Sequence, residues 1–437
     1  MPMESQTTDR YLVLLRHDKP REAAKELADV VQIGIARQAG RRSRSGKSAN
    51  LKQHCAIIFD RIGVALVRCA PDKRELLAGL AAAQDSAILA VEPERIVRAT
   101  AGRRLSIPTP VPGAVADPDR LTAYLQGYRD AIEDLSRRLP ALYGTKRGAA
   151  TGVDESAVTW GVQAVGAQAS KYSGQGVRIA VLDTGLDLQH PDFADRNIVS
   201  RSFIDGQPVD DGNGHGTHCA GIVGGPPTPT SAPRYGVASG AELHIGKVLG
   251  NEGSGGDGGV LEGIDWAIEN QCQIISLSLG SPVQPGQSYS TIFEEVARRA
   301  LAKGTVIIAA AGNDSRRPDD IAPVSHPANC PSIMAVAAID SDGRVAPFSS
   351  GGLFPDGGKV DIAAPGVEVF SAWPAPQRYN TISGTSMATP FVAGVAALHV
   401  QADSGRRGEA LLAVLTQRAT PLEDSERDVG AGLVQAP

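Results

Sequence analysis

Aromatic residues are scarce in this chain of 437 residues, at 4% of the total, so a core of stacked rings is excluded. With 42% hydrophobic residues the core must instead be built from small aliphatic side chains, and the length is enough for a large one. Long apolar runs are also missing: no stretch approaches the roughly 20 residues of a membrane helix, so no membrane partner is expected. Positive charge is not in excess. The formal net charge of -5 argues against a general nucleic-acid binder and suits solubility. Cysteine is sparse, and Cys55, Cys69, Cys219, Cys272 and Cys330 are odd in number, widely spaced and free of any Cys-x-x-Cys pair for zinc or redox work. The opening "MPMESQTTDRYLVLLRHDKP" lacks the basic start and long apolar segment of an ordinary secretory leader, its apolar run being only Tyr11 to Leu15. Reduced thiols and the missing leader predict a cytoplasmic protein.

Glycine, by contrast, is plentiful. The 49 glycines cluster between apolar runs, as expected where loops carry the chemistry. Residues 11 to 15 read as a strand, "PREAAKELADVVQIGI" as a helix, "AIIFDRIGVALVRCA" as two buried strands, "DKRELLAGLAAA" as a helix and "AILAVEPERIVRA" as a last strand. This is a small α+β unit over residues 1–100, interrupted by the basic loop "RQAGRRSRSGKSANLK", read as a solvated excursion. The Pro- and Gly-rich "AGRRLSIPTPVPGAVAD" then reads as a linker. In the one helix that follows, over 118–139, Leu121, Tyr124, Leu125, Tyr128, Ile132, Leu135 and Leu139 recur at three- and four-residue steps. Linker and helix together occupy 101–154.

Over 155–437 the rhythm becomes strand, Gly-rich turn, helix. "GVRIAVLDTG", "AELHIGKVL", "CQIISLSLGS", "GTVIIAAAGN" and "IMAVAAID" are near-continuous apolar runs of the kind that form parallel strands buried on both faces. With "VLEGIDWAIEN" and "YSTIFEEVARRALAKG" as helices between them, the expected class is α/β with a mostly parallel sheet flanked by helices. Polar residues at the carboxyl ends of such strands are the first candidates for a site. Asp183 ends "IAVLDTG", His215 lies in "DGNGHGTHCAG" and Ser386 lies in "SGTSMATP". A serine hydroxyl is a poor nucleophile until a histidine takes its proton, and the histidine works best when a carboxylate fixes its tautomer. Singly, each is an ordinary turn or cap residue. Together they supply a nucleophile, a base and an orienting carboxylate.

The stretches "VLDTGLDLQHPDF", "GNGHGTHCAG" and "SGTSMATPFVAG" resemble the three signatures of the subtilisin-like serine protease family, in its chain order Asp, His, Ser. The resemblance runs from about Val158 to "VGAGLVQA". It implies an endopeptidase working through an acyl-enzyme, with Asp183 orienting, His215 as general base and Ser386 as nucleophile. His218 would be structural and Asn313 an oxyanion donor beside the helix start at Ser386. Extended polypeptide substrates would add to two strand edges, Gly253, Ser254, Gly255 and Ser278, Leu279, Gly280. The primary pocket would be lined by Ser278 to Gly280 and by Ala310, Ala311 and Gly312, with Ser325 near its base, favouring medium apolar or uncharged side chains. Asp257, where the family often has an aromatic, would leave a more distant pocket loose and tolerant of basic residues.

The resemblance extends to the N-terminal unit, whose element order is similar to the inhibitor and chaperone prodomain of such proteases, with "VEPERIVRA" as its terminal strand. A self-inhibited zymogen follows, in which the chain's own prodomain is a partner. No cofactor is implied for the chemistry. Asp192 in "HPDF" matches a family calcium ligand, but "GGPPTPTSAPRYG" replaces the loop that should complete it and holds no Asn or Asp. Carbonyls of Ala328, Cys330 and Ile333 with Asp361 are a second candidate, so the metal assignment stays open. An α/β-hydrolase esterase would need Gly-x-Ser-x-Gly and the order Ser, Asp, His, neither of which is present. A silent binding protein would have no need of all three triad residues and Asn313.

Overall fold

A computed structural model describes residues 7–31, 35–37, 56–69, 71–83, 85–99, 153–194, 196–353 and 358–437. The chain divides into two compact units. One joins Met1–Gly102 with Asp154–Pro437, and the other is Arg103–Val153. The expected linker and helix over 101–154 thus lie almost wholly outside the described residues, as does most of the basic loop.

The larger sheet holds the five expected parallel strands and two, β7 and β14, that the sequence reading did not give. Its seven strands run in the order β14, β13, β12, β10, β6, β8, β7, and every neighbouring pair is parallel. In chain order these are β6 (Arg178–Asp183), β7 (Val199–Ser202), β8 (Glu242–Lys247), β10 (Ile274–Leu277), β12 (Val306–Ala310), β13 (Met334–Ile339) and β14 (Ile362–Pro365). The inner strands are buried on both faces, which is why they read as unbroken apolar runs, whereas the edge strand β7, Val-Ser-Arg-Ser, is exposed to half-buried. Ile179 and Val181 of β6 face one core with helices α3 (Trp160–Ala164), α4 (His215–Gly224) and α7 (Thr385–Ala402). Ala180 and Leu182 face the other, with α5 (Asp257–Glu269) and α6 (Thr291–Ala302). Strand β6 is the switch point: the chain first builds β7 and β8 on one side of it and then β10 onward on the other. A crevice opens at the carboxyl end of such a strand, and β6 ends on Asp183.

The N-terminal unit contributes β1 (Thr7–Leu15), α1 (Pro20–Val31), β2 (Ile35–Arg37), β3 (Ala56–Phe59), β4 (Val64–Arg68), α2 (Pro71–Ala81) and β5 (Ile88–Ala99). One reading is corrected here. The helix expected to reach Ile35 ends at Val31, and Ile35–Arg37 instead pair in parallel with Ala56–Ile58. A three-residue strand is too short to show a period, and its apolar residues read as one more helical turn. Alternate residues of β1 serve opposite faces: Val13 and Leu15 pack under α1 and α2, whereas Leu12 and Leu14 join the core beneath α5 and α6. The last strand, β5, runs on between β9 (Ser254–Gly256) and β11 (Leu279–Gly280), antiparallel to both.

Candidate active site

Each candidate side chain is delivered by the end of a regular element. Asp183 closes β6, His215 is the first residue of α4 and Ser386 is the second residue of α7. Gly214 is needed just before His215: its φ is +104°, and a Cβ there would lie 2.4 Å from the Trp373 ring. Asp183 Oδ1 accepts a hydrogen bond from His215 Nδ1 at 2.7 Å and another from the Thr184 amide at 2.7 Å. The donor position of His215 is therefore Nδ1, so Nε2 is left as the acceptor nitrogen, and it is buried with no hydrogen-bond partner. Burial disfavours the imidazolium, but the Asp183 charge more than offsets this and holds His215 well above the usual range. All three side chains are buried.

Ser386 is held by a reciprocal clasp with Ser278: its Oγ donates to Ser278 O at 3.0 Å, and Ser278 Oγ donates to Ser386 O at 2.8 Å. Ser278, expected only as a substrate-binding residue, thus also anchors the start of α7. Asn313 Oδ1 accepts from the Thr385 amide and the Thr385 hydroxyl, both at 2.9 Å, which ties Asn313 to the first residue of α7. Gly312, with φ +112°, has Ser325 Oγ 2.3 Å from where a Cβ would stand, and the Ser325 amide donates to Ala311 O at 2.8 Å. These contacts bring Ala311, Gly312 and Ser325 together as expected.

His218 lies one turn below His215 in a different environment. Its Nε2 faces the carbonyls of Val369 and Asn380 at 3.1 and 3.2 Å, and burial pushes its pKa down to about 3. It is a neutral tie between α4 and the hairpin of β15 (Val369–Ala372) and β16 (Tyr379–Ile382). Cys219 sits under the base, with Sγ 3.8 Å from His215 Nδ1 and its thiol directed to Ser386 O at 3.6 Å. Burial raises the Cys219 pKa, so the thiol keeps its proton.

Asp211 escaped the sequence reading. Its carboxylate accepts from Thr184 Oγ1, Thr217 Oγ1 and the amides of Asn213, Gly214 and Thr217, at 2.7 to 3.0 Å. Burial would raise its pKa, yet these donors outweigh burial and hold it below the usual carboxylate range. Asp211 thereby ties the end of β6 to the first turn of α4. The D-x-N-G run before "HGTH" is its only local signal.

The two cation candidates are met by protein groups. Asp192 Oδ2 accepts from the Tyr235 and Tyr379 hydroxyls at 2.7 and 3.0 Å, and Oδ1 from the Thr230 amide at 3.1 Å and the Thr230 hydroxyl at 3.3 Å. Four donors around one carboxylate do not make a calcium cage, which needs oxygens turned inward. At Asp361, the Lys359 ammonium stands 2.8 Å from Oδ1 and the Ala335 amide donates to Oδ2 at 2.9 Å.

The comparisons agree with this geometry. Residues 174–432 match the family model described as the Subtilase family. The M-protease of Shouchella clausii (strain KSM-K16) is 40% identical over 283 residues, covering 64% of this chain and 69% of its own. Subtilisin Savinase of Lederbergia lenta is 40% identical over 283 residues, covering 64% of this chain and 97% of its own. A thermostable alkaline protease of Halalkalibacterium halodurans is 40% identical across 64% of this chain and 72% of its own. These relatives overturn the cytoplasmic expectation, because alkaline subtilisins of this group are secreted enzymes. The reduced thiols carried no compartment information: Cys219, Cys272 and Cys330 are buried, where they serve as small apolar residues.

Two outcomes are expected. Asp211→Ala strands five donors and should cost about 3 kcal/mol or more of stability, with kcat falling as His215 loses its footing; calorimetry and peptide hydrolysis measure both. Since the folded pKa of Asp211 is depressed, its contribution is present above the unfolded value of about 3.9 and is lost as pH falls through the folded pKa. Asp211→Asn should flatten that acid limb. Mercury compounds should inactivate the wild type about a hundredfold by displacing the base and spare Cys219→Val, and equal inactivation of both proteins would exclude the Cys219 route.

Proposed function

The chain belongs to the subtilase family and is a serine endopeptidase, and we propose that Asp183, His215 and Ser386 are the triad that carries its reaction. The observation that supports this most directly is the 2.7 Å bond from His215 Nδ1 to Asp183, which leaves the buried Nε2 without a hydrogen-bond partner. In this reading Ser386 Oγ attacks the scissile carbonyl as His215 Nε2 takes its proton. The tetrahedral oxyanion is received by Asn313 Nδ2 and the Ser386 amide at the start of α7. Collapse breaks the C–N bond, and His215 passes the proton to the leaving amine. Water, activated by the same base, then hydrolyses the ester. Asp183 stabilises the imidazolium throughout and is not itself protonated. No cofactor takes part, and the donor sets at Asp192 and Asp361 favour hydrogen bonds and a lysine over calcium.

Residues 1–100 are read as an inhibitory prodomain, 101–154 as a connector and 155–437 as the catalytic domain. Support comes from the register of β5. Val97 faces Gly255, Arg98 faces both Ser254 and Gly280, Ala99 faces Leu279, and the Ala99 amide donates to Gly253 O at 2.9 Å. The strand thus occupies both edges that a substrate would use. The unit is seated by charge as well: Asp265 accepts the amides of Arg61 and Ile62 at 2.9 and 3.2 Å, and Glu92 accepts Ser290 Oγ at 2.6 Å at the start of α6.

Ser386→Ala, His215→Ala and Asp183→Asn should each lower turnover by several orders of magnitude, because triad members act as a unit. His218→Ala should cost mainly stability, read as a lower Tm. In the wild type kcat/KM should rise with pH through a His215 pKa above the usual 6.5, and Asp183→Asn should move that limb to lower pH. Near-normal hydrolysis by His215→Ala would overturn the assignment. For the N-terminal unit, purified mature enzyme should begin soon after Ala99 on N-terminal sequencing, whereas Ser386→Ala stays full length. A folded fragment of residues 1–100 should inhibit at micromolar concentration; failure to do so would remove the inhibitory role.

A further inference from the structure

Beyond Gly256 the strand β9 ends, yet β5 continues to be hydrogen-bonded. The next amide of β5, that of Arg95, donates to Asp257 Oδ2 at 3.1 Å. A side-chain carboxylate here takes the place of a strand carbonyl. Asp257 is 0% exposed, and its other oxygen faces His326 Nε2 at 3.0 Å, on a side chain that is 1% exposed. The imidazole is held edge-on by Phe293, with ring centroids 4.6 Å apart. The His326 backbone exchanges both hydrogen bonds with Ser281, just past β11, at 2.9 and 3.0 Å. Asp257 therefore comes from the β9 side of the cleft, His326 comes from the β11 side, and the pair closes the far end between the two edges. The Arg95 guanidinium lies 4.0 Å from the same carboxylate oxygen that takes its amide.

We infer that Asp257 is a substrate-positioning residue, braced by His326, which accepts the main-chain N–H of the substrate residue in the place of Arg95 and favours a cationic side chain there. On the side away from β5 the carboxylate is fixed by His326 Nε2 at 3.0 Å, which leaves its other oxygen turned to the strand in the cleft. The preferred substrate is an extended peptide that reaches at least as far upstream as this residue, with a free amide and a basic side chain at that position. Proline or an acidic residue there is disfavoured. This rests on β5 lying in the cleft as a substrate does.

The test uses the mature enzyme and an internally quenched peptide of the chain's own residues 92 to 103, EPERIVRATAGR. Two companion peptides carry N-methylarginine or glutamate in place of Arg95. Cleavage of the parent peptide reports on the reading of β5, and the ratios among the three report on Asp257. The expected result is a KM raised about tenfold for the N-methyl peptide, the scale of a hydrogen bond to a charged acceptor, and a further loss for the glutamate peptide, with kcat little changed. Asp257→Asn, with its folding checked by Tm, should erase most of the discrimination between arginine and glutamate while the parent peptide is still cleaved. Equal KM values for the three peptides with the wild-type enzyme would overturn the inference, whatever the variant does.

Discussion

A carboxylate can hold an imidazole at 2.7 Å only if its strand end does not move, and that constraint organises the molecule. Strand β6 lies inside the parallel sheet, between β8 and β10, with apolar layers on both faces. Its end is then fixed a second time: the buried Lys247 ammonium donates to the carbonyl of Thr184 and, at 2.7 Å, to Asn251 Oδ1. A third restraint is Asp211, which binds Thr184 and the first turn of α4 through one carboxylate. The dyad is thus the product of two rigid elements locked together at their ends. Its precision comes from that lock, because a single hydrogen bond between long, free side chains would be worth little.

The same packing separates two histidines of similar sequence setting. His215 faces a carboxylate and is held well above the usual range, whereas His218 faces only carbonyls and is pushed down to about 3. Three residues along one helix rotate the ring from a charged partner to a neutral one. Cys219, four residues after His215, occupies the same face and touches both His215 and the Ser386 carbonyl. It is a small apolar filler by volume that bridges the starts of α4 and α7.

The proposed triad residues were legible in the sequence because they sit in short local signatures: a strand end, a Gly-bounded helix start and a second helix start. The parallel sheet was legible for the same reason, since two-sided burial leaves unbroken apolar runs. What stayed hidden depends on partners distant in the chain. Asp192 meets Tyr379 across 187 residues, and Asp257 meets His326 across 69. Neither motif nor period encodes such a pair. Asp192 illustrates the difference: "HPDF" looks like a cation ligand, and only the folded chain shows hydroxyls in that place. Strand β2 was missed because three residues carry no period. The compartment was misread because a buried thiol looks the same in any compartment.

The N-terminal unit meets the catalytic part where that part is least self-sufficient. Helices α5 and α6 begin with amides that lack intrahelical acceptors, and Glu94 and Glu92 supply them: Glu94 Oε1 accepts the Gly258 amide at 2.9 Å, and Glu92 Oε1 the Ile292 amide at 3.3 Å. Glu94 is completely buried and is neutralised by the Arg10 guanidinium. The contact therefore stabilises two helix starts and the non-local sheet beneath them, and such sheets are slow to form unaided. The strand that carries both glutamates, β5, also leads into the cleft. Helix capping and cleft occupation thus belong to one continuous segment, so an event that frees the cleft end of β5 also loosens the caps. The proposed prodomain role thus draws both its parts, assisted folding and a covered site, from the same twelve-residue strand.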